Sequence, residues 1–296
     1  MPPKWLAAVV LAVFVLAIAF VTASYLSDSE SGPSGAGVNI KELEAAVRAD
    51  PESLQARLSL AQGYMGTENF EDALTQFQEV LKIDSENEEA LLGAGVSHLE
   101  LEQTEDAVQA FVTIVSQNKE NPYAKLNQRL ETAHYYLGRI YRDQGLLQES
   151  INELRLALEI NRADADVLYE LGLSFQASAM HEDALSAFEM ALAFVPDYLE
   201  AYEGMRDAAR ALGAEKKAAY AEALMLVFDG DVKEGAKRLE ALAENSEDSR
   251  VWWALGYAQE QLGETDAAVE AYQRAVEINP GERLAADALV RLSGPE

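Results

Sequence analysis

Asn69-Phe70-Glu71-Asp72-Ala73-Leu74-Thr75-Gln76-Phe77 and Gln103-Thr104-Glu105-Asp106-Ala107-Val108-Gln109-Ala110-Phe111 are the same phrase written twice, 34 residues apart. The same step carries Gly138 to Gly172, Leu154 to Phe188 and Ala157 to Ala191. A fixed period of this length marks a solenoid, whose units cannot each bury an apolar face alone and do so by stacking. Within the first unit, Leu60-Ala61 and Tyr64 precede a break at Gly66-Thr67, and Ala73, Phe77 and Val80 follow it. Spacings of three and four residues place these on one face of each of two helices. The break is short, so the helices fold back on each other.

Later stretches show how specific the pattern is. Trp252-Trp253-Ala254-Leu255-Gly256 is followed by Gly263, Ala268, Tyr272, Ala275 and Pro280. Leu171-Gly172 is followed by Ala184, Phe188, Ala191 and Pro196, and Leu137-Gly138 by Tyr141, Gly145, Leu154 and Ala157. In that third unit Ser150 stands where a small Ala is expected. The second unit has Gly95, Ala107, Phe111 and Ile114, with His98 in a Tyr position. The pattern resembles the tetratricopeptide repeat, a 34-residue helix–turn–helix unit, over residues 51–293. The resemblance implies an all-α, right-handed α-solenoid of such units; with the one transmembrane helix that the apolar N-terminal run predicts ahead of it, the chain looks akin to membrane-anchored bacterial members of the family. It also implies that the first helix of each unit lines a concave face. The expected groove positions are Leu58 and Gln62, Leu92 and Val96, Tyr135, Arg139 and Arg142, Tyr169 and Leu173, and Trp253 and Tyr257, with Arg139 and Arg142 as its cations. The Lys and Asn pairs with which some members clamp a terminal carboxylate are missing there. Trp252, at the repeat's core position, is expected to pack inside.

Units one to four occupy 51–196. The distance from Gly95 to Gly138 exceeds one period by nine residues, so Lys119–Arg129 is expected to form a longer loop or an extended helix. After Pro196 the phase breaks. Tyr198–Leu212, Glu215–Phe228 and Val232–Glu244 read as three helices within 197–248, where whole units would supply two or four. Either one helix is shared between two degenerate units, or the array bends. The last unit is expected at 249–281 and a capping helix at 282–293.

Trp5 to Ser27 contains no charged residue. A helix of about 20 such residues spans the hydrocarbon core. Lys4 before it favours a cytoplasmic N-terminus (1–4) and translocation of the remainder, with Trp5 and Tyr25 at the two interfaces of an anchor over 5–27. The alternative is export after cleavage near Val21-Thr22-Ala23. Ser27 to Gly37 is a polar Gly/Ser/Pro linker, assigned to 28–37. Residues 38–50 read as a leading amphipathic helix with Ile40, Leu43 and Val47 on one face.

The chain carries 51 acidic and 23 basic residues, a formal charge of −28. That field repels nucleic acid and anionic lipid, so no nucleic-acid partner is expected. There is no cysteine, which removes disulfides, thiol catalysis and zinc-thiolate sites. The three histidines, His98, His134 and His181, have no metal-binding spacing, and Asp164/Asp166 and Asp229/Asp231 fall at helix starts, where carboxylates cap free N–H groups. No phosphate-binding loop or nucleophile elbow is present. No catalytic, metal or cofactor site is expected. The expectation is a membrane-anchored, extracytoplasmic scaffold that holds a protein or peptide partner in a groove. Alternatives are an assembly factor, such as the membrane-attached repeat proteins that hold apocytochrome c in bacterial cytochrome c biogenesis, or a structural subunit of a membrane complex.

Overall fold

The computed structural model describes residues 39–244 and 246–294. The anchor and linker expected over 5–37 lie outside the described residues. Among the described residues no helix is long and apolar enough to cross a membrane. They form fifteen α-helices and one 3-10 turn, without a strand, divided into a unit ending at Ala107 and a unit beginning at Val108.

The first unit contains α1 (Ile40–Ala49), α2 (Leu54–Met65), α3 (Phe70–Ile83) and α4 (Glu88–Glu100), and ends inside α5 (Thr104–Gln117). Ser53 and Asn87 start α2 and α4 by accepting the backbone N–H of Ala56 and Ala90. Each such cap contributes about 1 kcal/mol. Leu58 and Ala61, Ala73, Phe77 and Val80, and Ala90 and Ala94 form its core. Helix α1 buries no residue completely; the Tyr64 hydroxyl ties α2 to it by donating to Glu44 at 3.0 Å.

The second unit continues with α6 (Gln128–Asp143), α7 (Leu147–Ile160), α8 (Ala165–Ala177), α9 (His181–Phe194) and α10 (Leu199–Ala211). It ends with α11 (Glu215–Phe228), α12 (Val232–Ala243), α13 (Ser249–Gln261), α14 (Thr265–Ile278) and α15 (Arg283–Ser293). From α6 onward, connections of 3–5 residues join successive helices, which pack chiefly on their neighbours in sequence. Asp164, Asp231 and Asp248 accept backbone N–H groups at the starts of α8, α12 and α13. The extra residues before α6 form a loop with a 3-10 turn at Ala124–Leu126. Buried Asn118 organises it: its Nδ2 donates to Ile114 O, and its Oδ1 accepts from Asn121 at 2.8 Å and Asn127 at 3.1 Å. Tyr123 and Leu126 stand 71% and 82% exposed on this loop.

The turns locate the phase break. A residue with positive φ sits in the turns after α6, α8 and α10, at Gly145, Ala179 and Gly213, in steps of 34. The next lies at Gly230, only 17 residues on, and the one after at Gly263. Helix α11 therefore closes the pair begun by α10 and also opens the pair completed by α12. One helix is shared between two units.

Candidate functional site

In the second unit, α6, α8 and the start of α10 bring one aromatic stripe together. Tyr135 meets Tyr136 edge-on at 5.2 Å, and Tyr169 lies 5.1 Å from Tyr198 and 5.9 Å from Phe188. Phe188 is fully buried, whereas Tyr135, Tyr169 and Tyr198 are half-buried. The Tyr198 hydroxyl donates to Asp166 at 3.0 Å. Burial, then the bond to Asp166, pushes the Tyr198 phenol above its ordinary range, so it stays a neutral donor. Burial raises Tyr135 and Tyr169 as well. Leu173 is half-buried beside Tyr169 on α8 and packs on the core.

Arg139 and Arg142 stand on the same face of α6 but are not free cations. Both pair with Glu170 of α8, Arg139 through Nε at 3.3 Å and Arg142 through Nη1. The Arg139 guanidinium also lies 5.5 Å from the Tyr135 ring centre. Glu170 is buried, and such a carboxylate is stable only when compensated. Arg142 also meets Asp143 at 3.1 Å, so two carboxylates balance the two arginines and leave a stripe that is aromatic and nearly neutral. Neither Glu170 nor Tyr198 was among the expected groove residues: Glu170 follows Tyr169 directly, off its face of α8, and Tyr198 sits at the start of α10, so spacing within α8 carried no signal for either.

The remaining expected positions divide. In the first unit Gln62 is exposed and donates to Glu89 at 2.7 Å, and Leu92 and Val96 are half-buried on α4. Leu58 is only 5% exposed and belongs to the core, a correction to its expected place in the groove. Both tryptophans pack on the core, which corrects the expected groove place of Trp253. Trp253 is 8% exposed, while Trp252 is half-buried and donates through Nε1 to Ser246 O at 3.0 Å. The shared helix explains this. Glu189 of α9 contacts Lys217 of α11 at 2.6 Å and Arg250 of α13 at 3.3 Å, so α13 joins the row of α9 and α11, and its inward face becomes core. Tyr257 stays half-buried, 5.9 Å from Trp253 and 5.5 Å from Phe228.

The histidines are used internally or left apolar. His134 Nδ1 meets Glu153 at 2.6 Å and His98 Nδ1 meets Gln103 at 2.6 Å, while His181 Nδ1 is buried without a partner. Among the described residues, no three His, Asp or Glu side chains are grouped to hold a metal.

Family models for the tetratricopeptide repeat match residues 34–92, 64–130 and 220–283, and a TPR repeat model matches 138–178. These are tetratricopeptide repeats. The last span opens inside α11, which agrees with that helix serving as a first helix as well as a second. No catalytic family matches, and no curated protein sequence matches the chain. Among solved structures, the MamA protein is similar with a TM-score of 0.52 at 22% identity, over 66% of this chain and 98% of MamA. The C-terminal part of a TPR repeat-containing protein from Cytophaga hutchinsonii gives a TM-score of 0.52 at 14% identity, over 84% of this chain and 93% of its own. At these identities the likeness is one of tetratricopeptide fold alone.

Proposed function

We propose that this chain is a protein–protein interaction scaffold, held at the membrane by residues 5–27, which captures a peptide or helical segment of a partner along the α6–α8–α10 stripe. The observation that carries this reading is the row of half-buried Tyr135, Tyr169 and Tyr198, backed by a charge-compensated carboxylate. Tyrosines offer large contact area with little side-chain entropy to lose, and they recur where interface binding energy concentrates. The apolar run at 5–27, preceded by Lys4, supports an extracytoplasmic repeat domain.

Photocrosslinking tests the groove. With a benzophenone side chain at position 169 or 198, the full chain is expected to crosslink one discrete partner, identified by mass spectrometry. The same probe at exposed Glu270, on α14, is expected to give none. The triple variant Tyr135→Ala/Tyr169→Ala/Tyr198→Ala should lose capture while keeping its far-UV circular dichroism. Capture unchanged in the triple variant would overturn the reading. Protease accessibility of the repeat domain in intact cells against opened cells tests the topology.

A further inference from the structure

The shared helix leaves a cavity of about 230 Å³ among α9, α10, α11, α13 and the start of α15. Tyr202, Tyr220 and Trp253 supply aromatic surface; Leu192, Met205 and Leu284 supply aliphatic surface. Four charged residues also line it: Glu189, Arg250, Glu282 and Arg283. Three of these are already engaged. Arg250 chelates Asp248 through Nε at 3.1 Å and Nη2 at 2.8 Å, and reaches Glu189 at 3.3 Å. Glu189 also takes Lys217 at 2.6 Å. Lys217, Glu189, Arg250 and Asp248 thus form a balanced chain of two cations and two anions. Arg283 faces Asp287 at 3.9 Å. Glu282 is left over. It occupies the N-cap position of α15 without capping it, and its Oε2 accepts the Ser249 hydroxyl at 2.8 Å, leaving Oε1 without a hydrogen-bond partner among the described residues.

The geometry points to a cation pocket: the cavity takes the alkylammonium side chain of a lysine in the bound partner. This deepens the scaffold reading and rests on it. Aromatic faces attract cations through their quadrupole, and the unmatched Glu282 carboxylate supplies the ion-pair partner. A compact ammonium needs one acceptor oxygen, whereas a guanidinium is best met by two, and Glu282 has one to give. The volume lies below the roughly 300–1,000 Å³ of sites for drug-sized ligands, which suits one side chain better than a cofactor. The chain's net charge of −28 favours a basic partner throughout.

The test uses the full chain with Trp5→Phe, so that indole signals report Trp252 and Trp253 alone. Butylammonium chloride is titrated at constant ionic strength against butan-1-ol, its neutral counterpart. Butylammonium is expected to shift the Trp253 indole N–H resonance saturably and the Trp252 resonance little, with butanol inert. Glu282→Gln should weaken this binding at least about tenfold, with unchanged circular dichroism, and Glu270→Gln should leave it intact. A response equal for alcohol and ammonium in the unsubstituted protein overturns the proposal, whether or not the Glu282 variant folds. N-acetyl-lysine-N-methylamide separates the sources: it should bind at least as well as butylammonium, and failure to bind would overturn the assignment to a peptide lysine. Persistence of partner capture in the triple tyrosine variant, together with charge-selective binding here, would sink only the groove reading. Loss of capture there with a charge-indifferent cavity would sink only the lysine pocket.

Discussion

Phe188 shows how single positions lock these helices together. Its ring is fully buried between Gly172 of α8 and Gly204 of α10, where an added Cβ would fall 2.6 Å and 2.4 Å from ring carbons. Gly138 faces Leu154 and Gly256 faces Tyr272 in the same way. The contacts of Gly138 with Leu154 and of Gly172 with Phe188 were legible in the sequence, because these residues repeat in the 34-residue step; Gly204 falls off that step from Gly172, and its contact was not. Phe188→Ala is expected to cost about 3–5 kcal/mol in chemical denaturation. Gly204→Ala is expected to cost about 1–3 kcal/mol, part of it recovered by Phe188→Leu. Ala179 carries φ +56 at a turn position where Gly145 and Gly213 stand in neighbouring turns. A Cβ there costs about 1–2 kcal/mol, so Ala179→Gly should stabilise the protein by about 0.5–1 kcal/mol, read from the denaturation midpoint. Less legible were the states of Arg139 and Arg142. Their shared carboxylate, Glu170, lies on another helix, and helical spacing within α6 carries no trace of it.

At the scale of the element, the helices themselves could be read from periodicity, including the three between Pro196 and Asp248. Their pairing could not, since periodicity marks faces and not turns. The glycines at 213, 230 and 263 held the missing signal, in their spacing of half a period and then nearly a whole one. A second consequence of helix pairing lies between α6 and α8. Glu131 of α6 is 5% exposed, and burial, then the neighbouring Asp164 carboxylate that caps α8, raises its carboxyl to about 7. A raised carboxyl binds its proton more tightly folded than unfolded. Stability from this group is present in acid and is lost as pH rises from the ordinary value of 4.5 through about 7. Glu131→Gln should therefore flatten the pH dependence of the melting temperature across that window. At pH 8 it should raise the melting temperature by about 2–4 °C.

For the whole molecule the dominant quantity is its charge of −28. Exposed carboxylates repel one another over the Debye length of about 10 Å at 0.1 M salt. Raising sodium chloride from about 10 mM to about 150 mM should raise the melting temperature, while weakening capture of a basic partner through loss of steering. A melting temperature that fell with salt would mean that its ion pairs outweigh the repulsion. The shared helix has a further consequence, one of parity. Helices joined by such short connections run in alternating directions, so units added in twos always begin at the same end of a stack. Helix α13 is the fifth after α8, an odd step, so α13 and α15 run opposite to α6 and α8. Helix α15 thus finishes at the end at which α6 starts, where an even step would finish it at the other. Duplicating a whole pair within residues 108–296 would leave that finish in place, whereas gaining or losing a single helix would move it to the other end.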